Sequence, residues 1–90
     1  MYKLIITESY QKRAGKFFLR HPEVLGQYEK VLRLLCLNPH HPSLRSHKLS
    51  GELCGLFSVS INISYRVIVN FIVKNKQIIP IDIGSHDEVY

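Results

Sequence analysis

The sequence predicts an α+β fold in which a small antiparallel sheet carries two helices on one face, in the order β-α-α-β-β-β. Two observations support this prediction. Apolar residues recur at helical spacing over residues 10–35, and apolar and polar residues then alternate, as they do in strands, from residue 57 onward. Since the chain has 90 residues, we expect residues 1–90 to form a single domain with one modest core.

The first half of the sequence predicts one strand and both helices. The segment "YKLIIT" is rich in β-branched residues, which is typical of a strand, and Thr7 or Ser9 can cap the helix that follows. The apolar face of this helix is expected to contain Tyr10, Ala14, Phe17 and Phe18. A second helix is predicted to begin at Pro22 and to end near Asn38, because a proline follows Asn38.

The second half predicts a loop over residues 38–51 and then three strands. In the first of these strands, Phe57 and Val59 alternate with Ser58 and Ser60, which indicates a strand buried on one face only. Longer apolar strands are expected over residues 65–73 and 78–83, joined by the turn "KNKQ". Pro80 cannot donate a ladder hydrogen bond, so the last strand should lie at an edge or carry a bulge.

The charge and composition narrow the class of partner. The net charge is +5, which favours a polyanion or an acidic protein. The segment "NPHHPSLRSHK" contains three histidines, an arginine and a lysine but no acid. No apolar run approaches the roughly 20 residues of a membrane span. Cys36 and Cys54 lie outside any metal-ligand spacing, so we expect two buried, reduced thiols in a cytoplasmic protein.

Candidate functional residues are expected at one end of the sheet. They are His47 in "RSHKLSG", Arg66 in the apolar strand "YRVIV", and His86 and Tyr90 in the last residues. A hairpin brings the start of the Arg66 strand next to the end of the following strand, where His86 lies. His47 precedes the strand that is expected to pair with the Arg66 strand, so these side chains can converge.

Two histidines and an arginine would support RNA cleavage without a metal or another cofactor. Histidine titrates near pH ~6.5, so one ring can deprotonate a 2′-hydroxyl while the other protonates the leaving oxygen. An arginine offers a planar set of donors that suits phosphate oxygens. A tyrosine can stack on an unpaired base.

Each position also has a purely structural interpretation. Arg66 could pair with Asp82 on the next strand, and Tyr90 could cover the open end of the core. His47 could simply be solvated, as could the cations of the first helix. Spacing alone leaves the choice open.

The pattern "HKLSGELCGLFSVSI…YRVIVNFI…IIPIDIGSHDEVY" resembles the RelE/ParE superfamily of bacterial toxins, and most of all the branch of the ribosome-dependent mRNA endonucleases YafQ and YoeB. Members of that branch carry a "PLxG" segment, a "GxxS" strand, an "xRLVY"-like strand and a terminal "GTH…F" or "HY". The corresponding segments here are Leu49–Gly51, Gly55–Ser58, Arg66–Val69 and Gly84–Tyr90. The resemblance covers the whole chain.

This resemblance implies a RelE-like toxin of a type II toxin–antitoxin system, which cleaves mRNA on the 70S ribosome and is inhibited by a cognate antitoxin protein. His47 matches the general base, Arg66 the arginine that contacts the scissile phosphate, and His86 the proposed general acid. Tyr90 matches the final aromatic residue that contacts the substrate. The residues expected to bind RNA or the ribosome are Lys12, Arg13, Lys16, Arg20, Arg45 and Lys48.

The sequence departs from the YafQ-like pattern at Ser60 and Ser64, where those members have a histidine and an aspartate. The base–acid pair therefore rests on His47 and His86. ParE-like members of the superfamily inhibit DNA gyrase and lack the catalytic set, and this is the alternative function. A nucleic-acid-binding module without activity is a third interpretation, which the lack of an aromatic platform on the strands weakens.

Overall fold

A computed structural model describes residues 1–89 of the chain. It contains five strands: β1 (Lys3–Leu4), β2 (His47–Lys48), β3 (Phe57–Ser60), β4 (Tyr65–Ile72) and β5 (Gln77–Ser85). Its α-helices are α1 (Glu8–Arg20), α2 (Leu25–Leu37) and the short α3 (His86–Val89). Single turns of 3₁₀ helix occur at Pro22–Val24, Pro42–Leu44 and Gly51–Leu53.

The five strands form one sheet in the order β1-β5-β4-β3-β2, and the core lies between this sheet and the two long helices. The predicted α+β class is therefore confirmed. The β2–β3, β3–β4 and β4–β5 pairs are antiparallel, as expected, but β1 runs parallel to β5. No short turn joins β1 to β5, so their pairing is free of the constraint that makes a hairpin antiparallel.

Helix α1 begins as the sequence predicts. The Thr7 hydroxyl accepts a hydrogen bond from the backbone N–H of Tyr10 at 3.2 Å, which caps the first turn. Tyr10 and Phe17 are buried, and Ala14 and Phe18 pack against the same core. The predicted apolar face of the helix is confirmed.

Helix α2 begins later than predicted. Pro22 starts a 3₁₀ turn that ends at Val24, and α-helical geometry begins only at Leu25. Val24, the last residue of the 3₁₀ turn, is buried, while Leu25 is 42% exposed. The helix ends at Leu37, one residue before the expected Asn38, which is its C-cap.

Two buried tyrosines link the long helices. The hydroxyl groups of Tyr10 on α1 and Tyr28 on α2 are 2.7 Å apart and share a hydrogen bond. Burial raises the pKa of both tyrosines above the ordinary value for a phenol. Both hydroxyl groups therefore stay protonated in the folded protein at an alkaline pH where an exposed tyrosine would ionise.

This tyrosine pair predicts a loss of stability at high pH. Above about pH 10 the unfolded chain releases the phenolic protons while the native state retains them, so the free energy of unfolding falls as the pH rises. Below that pH, ionisation of Tyr10 and Tyr28 should make no contribution to the free energy of unfolding. Urea unfolding followed between pH 8 and pH 11 should show a smaller alkaline loss in Tyr28→Phe than in the wild-type protein. An equal loss in both proteins would contradict this role.

Strand β3 is buried on both faces, contrary to the prediction. Val59 is fully buried, but so is Ser58, and Ser60 is 9% exposed. The expected solvent face is instead covered by Arg66 from β4, which donates a hydrogen bond to the Ser58 hydroxyl. The alternating serines of β3 therefore lie on a polar face that is covered and not exposed to solvent.

Strand β5 contains the predicted bulge. Val69 lies opposite Pro80 and Ile68 lies opposite Asp82, so Ile81 has no partner on β4. The bulge occurs next to the residue that cannot donate to the ladder, which is the arrangement expected for a proline within a sheet.

The two cysteines differ in environment. Both are free thiols, but Cys54 is exposed and Cys36 is half-buried, so the prediction of two buried thiols is wrong for Cys54. Cys54 follows the 3₁₀ turn at Gly51–Leu53, outside the sheet and the long helices. Burial raises the pKa of the Cys36 thiol. Within residues 1–89, no helix is long and apolar enough to cross a bilayer.

Candidate active site

His47 lies on a short edge strand and not in the predicted loop. In β2, His47 pairs with Ser58 and Lys48 pairs with Phe57. The side chain of His47 is exposed. Strand β2 pairs with β3, and β3 pairs on its other side with β4, which contains Arg66. His47 and Arg66 therefore flank the same strand.

The Arg66 side chain is held by four contacts. Its Nε donates to the Ser58 hydroxyl. Its Nη2 donates to the Arg45 carbonyl at 3.0 Å and to the Ser58 carbonyl at 3.4 Å, and it lies 3.5 Å from His47 Nδ1. These contacts fix the plane of the guanidinium group beside the imidazole ring.

The structure excludes the alternative in which Arg66 pairs with Asp82. Arg66 lies opposite Gly84 on β5, whereas Asp82 lies opposite Ile68. The Asp82 carboxylate contacts Arg13 of α1 at 3.4 Å. Since glycine has no side chain, no β5 side chain occupies the position directly opposite Arg66.

The Arg45 backbone has a left-handed conformation, with φ of 46° and ψ of 42°. Residues other than glycine adopt this conformation infrequently. It ends the 3₁₀ turn at Pro42–Leu44 and directs the Arg45 carbonyl to the Arg66 guanidinium. The loop and the arginine of β4 are therefore held together by this hydrogen bond.

His86 lies at the same end of the sheet as Arg66. It follows Ser85, the last residue of β5, which pairs with Tyr65 at the start of β4. Its ring is 70% exposed, and its Nδ1 lies 3.8 Å from the Asp87 carboxylate. The structure thus brings His47 into contact with Arg66 and places His86 on the element that follows the neighbouring strand. Tyr90 lies outside the described residues.

The predicted RNA-binding cations form two groups. Arg45 and Lys48 adjoin His47, and both are exposed. The other four lie on α1, where Lys12 pairs with Glu8 at 3.7 Å and Arg13 pairs with Asp82. The positive charge of the helix is therefore partly neutralised by acids of the chain itself. The α1 group comprises Lys12, Arg13, Lys16 and Arg20.

A cleft of about 260 Å³ adjoins the site, and sequence reasoning missed it. Among the described residues, no acid lines it. The residues that line it are His40, His41, Pro42, Arg45, Ser46, His47, Lys48 and Phe57. The acid-free segment "NPHHPSLRSHK" was the signal in the sequence, but its fold into a concave surface was not predictable from composition.

Ser60 and Ser64 belong to the β3–β4 turn. The Ser60 hydroxyl donates to the Asn62 carbonyl at 2.9 Å, and the Ser64 N–H donates to the Asn62 side-chain oxygen at 2.8 Å. These serines stabilise the turn and supply no acid or base. In residues 1–89, no group of three or more histidine, cysteine or acidic side chains could hold a metal ion.

No family model matches the sequence, and no curated protein sequence matches it. Among solved structures, a copper-bound mutant toxin from Helicobacter pylori is 27% identical, with a TM-score of 0.75 and complete coverage of both chains. YafQ from Escherichia coli is 13% identical, with a TM-score of 0.81, and the match covers 100% of this chain and 99% of YafQ. The chain has a RelE-like toxin fold.

The RelE-like fold is also found in a neighbour with a bound partner. YafQ in the DinJ–YafQ toxin–antitoxin complex from Escherichia coli is 15% identical, with a TM-score of 0.78. The match covers 99% of this chain and 97% of that YafQ chain. The fold that the resemblance to the RelE/ParE superfamily implied is thus confirmed by the structural neighbours. The order of elements in this RelE-like chain brings the loop before β3 next to the start of β4.

Proposed function

We propose that this protein is the toxin of a type II toxin–antitoxin system and that it is a ribosome-dependent mRNA endonuclease of the cytoplasm. The observation that carries the proposal is the contact between His47 Nδ1 and Arg66 Nη2 at 3.5 Å. A proton acceptor and a fixed cation stand side by side on an exposed surface. RNA cleavage through its own 2′-hydroxyl needs these two groups within reach of one phosphate.

His47 would serve as the general base. Because a guanidinium group can only donate hydrogen bonds, the tautomer of His47 that fits this contact is the one with the lone pair on Nδ1. The 3.5 Å contact is long for a hydrogen bond, and an incoming phosphate would displace His47 as the acceptor for Nη2. Nδ1 would then be available to remove the proton of the 2′-hydroxyl.

The remaining steps use Arg66 and His86. The 2′-oxygen attacks the adjacent phosphorus, and the developing negative charge on the phosphate oxygens is stabilised by the Arg66 guanidinium. His86 would protonate the 5′-oxygen as its bond to phosphorus breaks. The products are a 2′,3′-cyclic phosphate and a 5′-hydroxyl end, and no metal ion takes part.

The shape of the site supports dependence on the ribosome. His47 is exposed and the His86 side chain is 70% exposed, so the domain itself offers little surface to orient an RNA strand. Positioning of the reacting groups contributes a large share of a catalytic rate. The ribosome would supply this positioning by holding the message in its decoding site.

Cleavage of ribosome-bound message is therefore the decisive test of the proposed function. Toeprinting on a translating message should show cuts in the decoding site, and the same RNA without ribosomes should be cut far more slowly. Equal cutting of both would refute ribosome dependence. A protein that leaves the message intact but inhibits DNA gyrase would instead have the ParE-like function.

We propose that an acidic antitoxin segment binds the apolar groove between β1, α1 and α2. Two depressions of about 370 and 380 Å³ share Leu4 and Leu32, and their linings are almost entirely apolar. Ile6 and Leu37, which line them, are 45% and 65% exposed. Arg33 of α2 lines this groove, and Lys12 follows Gln11, which lines it on α1. An amphipathic acidic segment would therefore suit both the apolar surface and the charge.

The salt dependence of binding tests this proposal. Complementary charge mainly accelerates association, while buried apolar contacts set the lifetime of the complex. The association rate of the partner encoded beside this gene should fall with added salt, while its dissociation rate changes little. Leu32→Ala should raise the dissociation rate. Identical association rates at low and high salt would contradict the charge contribution.

A further inference from the structure

The basic cleft beside His47 has lining residues that take no part in the contact between His47 and Arg66. The cleft is about 260 Å³ in volume and shares His47 with the candidate active site. His40 and His41 also line the cleft, and the proposed reaction leaves them without a role. The cleft therefore extends from the proposed catalytic base towards the end of α2.

The donors of this cleft suit an anion. The backbone N–H of Ser43 donates to His41 Nδ1 at 3.1 Å, so the proton of the neutral ring lies on Nε2. A ring held in this tautomer offers Nε2–H as a hydrogen-bond donor. Arg45 and Lys48 add two cations, and no acid is found among the lining residues that the structure describes. The electrostatic environment thus favours a phosphate.

A second, smaller depression adjoins the basic cleft. It has a volume of about 100 Å³ and shares His40, Ser46 and Phe57 with the cleft. Its other aromatic walls are Tyr2 and Phe71, and the Phe57 and Phe71 rings pack edge to face at 5.0 Å. Contrary to the expectation from sequence, strands β3 and β4 therefore do present aromatic side chains to a depression. A charged cleft beside an aromatic one matches the two parts of a nucleotide, its phosphate and its base.

We infer that the cleft binds the nucleotide next to the scissile one, with its phosphate at His40, His41 and Arg45 and its base against Phe57. This inference rests on the proposed endonuclease function, because it extends the RNA path from the Arg66 phosphate. The cleft would then be a subsite for single-stranded RNA, and it would hold the scissile nucleotide in position beside His47.

The test measures binding without cleavage. The probe is a trinucleotide with 2′-O-methyl groups, which has no free 2′-hydroxyl and cannot be cut by this chemistry. Its affinity for the full-length protein is compared between wild type and the double variant His40→Gln, His41→Asn. Asparagine at position 41 retains an acceptor for the Ser43 N–H and so preserves the cap of the 3₁₀ turn. Lys30→Gln, on the exposed surface of α2, is the control.

The trinucleotide should bind the double variant roughly ten- to thirtyfold more weakly, since two hydrogen bonds to an anion are lost. Lys30→Gln should bind like wild type. An unchanged affinity in the double variant would overturn the inference. Inorganic phosphate is the second probe: if it binds as tightly as the trinucleotide, the cleft is a phosphate site and the assignment to a nucleotide is wrong.

The cleavage assay separates this inference from the proposed function. On ribosome-bound message, the double variant should raise KM while kcat stays near that of wild type, because the histidines bind substrate and do not react. If wild type cleaves no message but binds the trinucleotide through these histidines, the endonuclease proposal fails. The cleft then remains a single-stranded RNA site, but not one next to a scissile nucleotide. If wild type cleaves and the double variant retains its KM, the subsite fails and the endonuclease stands.

Discussion

Replacing His47 with alanine should lower the rate of cleavage of ribosome-bound message about 10²–10⁴-fold, which is the usual contribution of a positioned acid or base. The ring has two roles in the proposed chemistry. Its Nδ1 is the acceptor beside Arg66, and it is the group that would remove the proton of the 2′-hydroxyl. His86→Ala should reduce the rate within the same range, because it removes the proposed acid.

The double variant His47→Ala, His86→Ala is the sharper experiment. Two groups that act in one step give effects far from additive, so the double variant should be little slower than the slower single variant. Single-turnover rates on ribosome-bound message measure this directly. Both side chains are exposed, so the melting temperatures should stay close to that of wild type. A single variant that arrests growth on induction like wild type would refute the role of that histidine.

Arg66→Ala should reduce cleavage by at least about 10²–10³-fold, since it removes the cation and donors that meet the charge developing on the phosphate. The effect should fall mainly on kcat, because the stabilisation is greatest in the transition state. Arg66→Lys should recover only part of the rate. Lysine keeps the charge but lacks the planar donors that contact Ser58 and the Arg45 carbonyl.

The control for Arg66 must separate catalysis from folding. Removing its side chain also leaves the Ser58 and Arg45 carbonyls without their donor, so a loss of stability is expected along with the loss of rate. The control is Arg33→Ala, because Arg33 is an exposed arginine of α2. This variant should retain full activity. If Arg66→Ala remains folded by circular dichroism and cleaves at the wild-type rate, the central role of this arginine is wrong.

The periodic elements of the fold were predictable because the core selects them. Tyr10 and Phe17 fall on one helical face and are buried, and Val59 and Val67 follow the strand period into the same core. The parallel pairing of β1 was not predictable from local pattern, since it depends on the whole chain between β1 and β5. The two-residue strand β2 was also not predictable from the sequence, because two residues cannot show a periodic pattern.

The candidate site was predictable in its residue types and less so in its contacts. His47 and Arg66 were expected to converge, and they are in contact. The anchoring of Arg66 by Ser58 was missed, because alternating serines on a strand usually indicate a solvent face. The hydrogen bond to the Arg45 carbonyl depends on the left-handed backbone of Arg45. No sequence pattern predicted that conformation. The cleft beside His47 needs the tertiary fold of the loop.

The chemical ends of the RNA fragments test most directly whether this site cleaves RNA through the 2′-hydroxyl. Cleavage by His47, Arg66 and His86 predicts fragments with a 2′,3′-cyclic phosphate at one end and a 5′-hydroxyl at the other. Message with a 2′-deoxy substitution at the cut position should remain intact. Fragments with 3′-hydroxyl and 5′-phosphate ends, or cleavage of the 2′-deoxy message, would contradict the account.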